Sequence, residues 1–219
     1  FLFLAGSNWE NVFLPILWRS SPHYPLLLPL INVWGWSLLD NPALRVPQFT
    51  AVLFTFLTAG LLFTALLNFT KKKWAILAPL LLLTLPFYGI LAVSQYSDVV
   101  LGFYLLAAIV CLMAVSSSDM NSRQDPAANP GEKSRYALLA GVFAGFLGFT
   151  KPEGSLAALV LTVVIVCLWL ARAQDRRKHK TSIFFFLCGL AGASLPTVIF
   201  ALVYSPGNQT FINGLVSGS

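Results

Sequence analysis

The sequence predicts an all-α fold, a polytopic bundle of about six membrane-spanning helices with one more helix lying at, or re-entering from, the outer face. Three observations carry this reading. Hydrophobic residues make up 57% of the 219 residues and charged ones 10%, against about 45–50% and about 25% in a soluble domain. Mean hydropathy is +0.76. Apolar runs recur along the chain at close to the ~20 residues that cross a ~30 Å hydrocarbon core. A water-soluble core of this size cannot hold that much apolar surface, so the chain reads as an integral membrane protein.

Taken in order, the first ambiguous run is 24–39, "YPLLLPLINVWGWSLL". Prolines near its start, tryptophans near its end and its short length suit a helix along the interface better than a span. The run 46–69 follows Arg45 and ends at Lys71, Lys72 and Lys73. Next come 74–93, which contains Pro79 and Pro86, and 99–115, which follows the polar patch "SQYSD". The stretch "SSSDMNSRQDPAANPGEKS" (116–134) has the composition of a flexible connection. The run 136–149 is short, ~21 Å as a helix. Unless it extends back toward Lys133, it leaves "TKPEG" (150–154) recessed below the membrane surface. Its Gly141 and Gly145 form a GxxxG face suited to close helix packing. The runs 155–171 and 182–204 complete the bundle. The expected organisation is an outer-face segment with interfacial helices (1–45), the bundle (46–204) and the start of another outer-face segment (205–219).

Charge gives the sidedness. Eleven of the 14 Lys and Arg fall in three connections: Lys71 to Lys73; Arg123, Lys133 and Arg135; and Arg172, Arg176, Arg177, Lys178 and Lys180. With alternating spans all three lie on one side, which the positive-inside rule makes cytoplasmic. Arg45, "SQYSD", "TKPEG" and the tail from Ser205 then share the other face. The net charge of +6 is distributed as in membrane-protein loops and does not point to nucleic acid. Cys111, Cys167 and Cys188 lie inside apolar runs, match no metal spacing and read as packing or lipid-facing residues.

Few polar residues remain that could do chemistry. Asp98 opens the third run. It suits a helix N-cap or first-turn acid, or a carboxylate at the outer face that orients an acceptor, acts as a base or holds a divalent cation. "TKPEG" fits a capping box with Thr150 at the N-cap and Glu153 three residues on. That leaves Lys151 unexplained, because a cation at a helix N-terminus is mildly unfavourable and implies a nearby anion. His23 and Tyr24 sit between prolines in "SPHYP", and Arg45 opens a span. Glu10 reads as a helix-start acid and His179 as a solvated member of a basic cluster. Asn208 begins a glycosylation triplet, a weak signal.

In this order "HYPLLLPL", an arginine opening the next span, "YSDVVLGFY" and "GFLGFTKPEGSLA" resemble the GT-C class of membrane glycosyltransferases. The groups most similar are the bacterial relatives of protein O-mannosyltransferases and the aminoarabinose lipid A transferases. The resemblance implies an inverting-type glycosyltransferase in the bacterial inner membrane, working at the periplasmic face. It implies a polyprenyl-phosphate sugar as donor and a lipid, glycan or protein as acceptor, among membrane lipids. It casts Asp98 as the second acidic position of the family, catalytic or metal-binding. It matches Lys151, His23 and Arg45 to substrate-binding positions, and Glu153 and Tyr24 beside them complete the candidate substrate-binding residues. At Lys151 the aminoarabinose transferases continue with Gly-Pro where this chain has Pro-Glu-Gly, and at His23 they carry a lysine before two prolines. Their first acidic motif has no counterpart here. It would lie upstream of Phe1, in keeping with "FLFLAGSNWENVF", which has neither Met nor basic n-region and reads as opening mid-element.

Two other classes compete. A transporter or flippase predicts charges at the bilayer midplane and internal repeats, and the sequence shows neither. A non-catalytic subunit of a membrane complex predicts that Asp98 and Lys151 point into separate surroundings.

Overall fold

The computed structural model describes residues 26–94, 96–124, 130–171 and 176–199. Every regular element among them is a helix: α1 (Leu27–Leu39), α2 (Arg45–Leu67), α3 (Lys72–Thr84), α4 (Pro86–Val93), α5 (Ser97–Gln124), α6 (Pro130–Thr150), α7 (Pro152–Ala171) and α8 (Arg176–Ile199). Four described segments are long and apolar enough to cross a membrane: Arg45–Leu67, Ser97–Ser116, Pro152–Trp169 and Lys180–Ile199. Large apolar side chains such as Phe56, Leu81, Leu156 and Phe184 face outward, as they do where the solvent is hydrocarbon.

The 74–93 run is not one straight helix. α3 and α4 meet at a 64° bend, because Pro86 forces Leu85 into an extended conformation (ψ 116°). The two halves still traverse the bundle together. α3 follows directly from the end of α2. On α4, the Tyr88 hydroxyl donates to the Thr55 carbonyl at 3.4 Å, and Ala92 shares a small cleft with Pro47 and Thr50 in the first turns of α2. The pair therefore returns the chain from one end of α2 to the other, as a broken span.

α1 has 13 residues, roughly 20 Å and too short to cross. It packs on α2 and α6, buries Leu27 and exposes Trp34 and Leu38, which suits a helix at the interface. Asp40 ends it in the left-handed region (φ 46°), its N–H returning to the Trp36 carbonyl. The Trp36 indole N–H donates to the Ala43 carbonyl at 2.8 Å, bracing the turn into α2.

α6 is the central element, packed against α5, α7 and α8. Ala137, Ala140, Ala144 and Leu147 are fully buried on it. A methyl group at Gly141 would run into the Phe186 carbonyl of α8, and one at Gly145 would lie 2.6 Å from the Ala193 Cβ. The GxxxG face is thus a helix contact, the expected use of small residues where no hydrophobic effect drives helices together. α6 spans 21 residues, roughly 31 Å, so it is not short. It runs back through Arg135 and Lys133 to Pro130. The inference that "TKPEG" is recessed because its helix is short is thereby removed.

Candidate functional site

Asp98 and Lys151 begin as separate helix-end residues. Asp98 lies in the first turn of α5, where the positive end of the helix dipole favours a carboxylate. α5 and α6 are antiparallel neighbours, so the start of α5 and the end of α6 share one end of the bundle. Lys151 is the single residue between α6 and α7. Its backbone N–H returns to the Leu147 carbonyl at 3.3 Å, and its own carbonyl accepts from the Gly154 N–H at 2.9 Å. It therefore closes α6 and opens α7 at once. The N-terminus of α7 disfavours a cation here, and the favourable carbonyl end of α6 offsets it.

The anion that Lys151 implied is a protein carboxylate. Its Nζ donates to Asp98 Oδ1 at 2.9 Å, across 53 residues of sequence. Both side chains remain partly accessible, 21% for Lys151 and 36% for Asp98, so the pair is not sealed in a core. Packing below fixes the approach of the two helices. Tyr104 of α5 stacks within 5.1 Å of Phe146 and 6.0 Å of Phe54, joining α5, α6 and α2. Val99, Val100, Leu147, Phe149 and Ala158 belong to the same buried cluster. Gly154 lets α7 turn tightly, because a methyl group there would strike the Leu147 carbonyl and lie 2.8 Å from Leu101 Cδ1.

Thr150 is not an N-cap. It is the last residue of α6 and 2% exposed, and its hydroxyl donates back to the Phe146 carbonyl at 2.7 Å. The capping box fails because the preceding helix runs through it. Pro152 does occupy the first position of α7, where its missing N–H costs little. Glu153 lies exposed in that same first turn, at the corner that carries Lys151. Arg45 is the exposed first residue of α2. It shares the end of the bundle that holds Asp98, since the first turns of α2 and α5 line one cleft through Pro47, Thr50, Val99 and Val100. Arg45 forms no ion pair with a described residue. His23, Tyr24, Glu10 and Asn208 lie outside the described residues.

That cleft also holds a polar contact the sequence reading missed. The Thr50 hydroxyl, 5% exposed, shares its one proton between Asn32 Oδ1 at 3.1 Å and the Val46 carbonyl at 3.0 Å. The bond ties α1 to α2 beside Tyr96 and Val99. Asn32 sits mid-run in an apolar helix, and that isolated polarity was the only available signal.

Asp98 offers one carboxylate with an ammonium already against it, and the described residues contain no group of three or more His, Cys, Asp or Glu that could hold a metal.

The arrangement brings an ammonium, a carboxylate and the N-termini of α5 and α7 together at the end of the bundle opposite the Lys71–Lys73 connection. The family model for dolichyl-phosphate-mannose-protein mannosyltransferase matches residues 23–212, a range that includes both members of the pair. The chain belongs to that family. It is accordingly a membrane protein of the GT-C glycosyltransferase class, whose donor is a polyprenyl-phosphate sugar. No curated protein and no solved structure matches it.

Proposed function

We propose that this end of the bundle transfers a sugar from a polyprenyl-phosphate donor to an acceptor at the non-cytoplasmic face. The observation that carries the reading is the meeting of Lys151 with Asp98 at the end away from the basic connections. The same connections support the sidedness: by the positive-inside rule their end is cytoplasmic. The reading extends to a bacterial inner membrane, with the site facing the periplasm.

The proposed roles follow from charge. Lys151 binds the donor phosphate, and the positive end of the α7 dipole adds to its charge. As the bond from sugar to phosphate breaks, negative charge accumulates on the phosphate oxygens, and a fixed ammonium stabilises it. Asp98, in the first turn of α5, accepts a hydrogen bond from the acceptor hydroxyl and orients it. Arg45 and Glu153 flank the same end, with His23 and Tyr24 as further substrate contacts. As the new bond forms, the acceptor hydroxyl gives its proton to a carboxylate base. Attack from the face opposite the phosphate inverts the anomeric centre. Mannose as the sugar and protein as the acceptor are taken from the family's description.

A transporter would place charges at the bilayer midplane. The buried polar side chains among the described residues are Thr50, Thr58, Thr150 and Ser182, all hydroxyls, which favours chemistry at a surface. The test uses full-length protein in proteoliposomes with radiolabelled polyprenyl-phosphate mannose. Label appearing on a protein, glycan or lipid acceptor supports the transferase reading. Label carried unchanged into the vesicle lumen, with none transferred, replaces it with transport.

A further inference from the structure

We propose that the Asp98–Lys151 ion pair is a latch that the donor opens. The donor phosphate displaces Asp98 from Lys151, and the freed carboxylate then receives the acceptor, so the substrates bind in order, donor first. This rests on the reading of the site given above and adds its sequence of events.

Lys151 Nζ and Asp98 Oδ1 are 2.9 Å apart, so each charge has a partner within the protein. The pair is partly exposed, at 21% and 36%, and exposed pairs of this kind are weakly held. A phosphate approaching Lys151 offers more acceptor oxygens than one carboxylate and also meets the positive end of the α7 dipole. It cannot share Lys151 comfortably with Asp98, because two anions on one ammonium repel. Asp98 moves away at little cost, since the first turn of α5 continues to stabilise its charge. Gly154 and the packing beneath α5 and α6 hold the two backbones in place, so opening needs only side-chain rotation.

Competition of this kind has a sign that a purely structural salt bridge lacks. Removing the Asp98 charge should strengthen donor binding while impairing transfer. The measurement is calorimetric titration of full-length protein in nanodiscs with geranylgeranyl phosphate, and in parallel with inorganic phosphate. Asp98→Asn should bind the lipid phosphate about two- to fivefold tighter than wild type, the range set by a weak exposed pair, and Asp98→Ser should behave alike. Lys151→Ala should bind at least about tenfold weaker. The exchanged double variant, Asp98→Lys with Lys151→Asp, restores a salt bridge but should stay as weak as Lys151→Ala. Tightening with both probes assigns the competition to the phosphate group; tightening with the lipid alone assigns it to phosphate held by its chain. Both outcomes support the latch. Unchanged or weaker binding by both Asp98 variants overturns it. Wild-type protein that binds neither probe overturns the donor-site reading itself, a separate failure.

Discussion

At the residue scale the opposing positions of one lysine and one aspartate carry most of the meaning. Their salt bridge is partly exposed, so it should contribute less than about 1 kcal/mol to stability. Asp98→Asn should therefore unfold within a few degrees of wild type in a detergent thermal-shift measurement; a drop of ten degrees or more would make the pair a structural clamp. Both residues could be singled out from sequence, because a charge in an apolar chain is conspicuous. Their contact could not be read there, since it depends on the start of α5 lying beside the end of α6, 53 residues away. Thr150 was misread for a related reason. A threonine before Lys-Pro-Glu suits a cap, but once α6 runs through it the hydroxyl donates back to the Phe146 carbonyl. Asn32 was passed over because its partner, Thr50, lies on another helix.

At the element scale, glycines divide into those that set helix distances and those that do not. Gly141→Ala should destabilise the bundle by about 1–3 kcal/mol, because the new methyl group meets the backbone of α8 and neither helix can yield freely. Gly102→Ala, with nothing within 4 Å of the added carbon, should be neutral or slightly stabilising. Comparing their thermal unfolding checks the α6–α8 contact, and equal behaviour would contradict it. Gly154→Ala should push α7 from α6 and shift Lys151 relative to Asp98. We expect it to lower sugar transfer about tenfold or more, through misplacement and not loss of a charge. The apolar runs foretold the helices well, because a bilayer leaves little choice of backbone structure. They foretold the boundaries less well. α6 looked short because its first turns carry Glu132, Lys133 and Arg135, charges that end an apolar run without ending a helix. The broken crossing of α3 and α4 was visible only as Pro86.

At the scale of the whole molecule the account depends on polarity from end to end: basic connections at one end, the Asp98–Lys151 pair at the other. In a background with Cys111, Cys167 and Cys188 replaced by serine, Lys72→Cys should react with a membrane-impermeant maleimide only from the cytoplasmic side, and Glu153→Cys only from the opposite side. Labelling of both from one side would refute the crossing by α3 and α4. The central claim is that sugar transfer is carried out at the Lys151 end. Its most direct test is the rate of mannose transfer from polyprenyl-phosphate mannose by Lys151→Ala and by Lys72→Ala, side by side in the full-length protein. The account predicts that Lys151→Ala loses about a hundredfold or more in rate while Lys72→Ala retains wild-type turnover. Wild-type turnover by Lys151→Ala would contradict it.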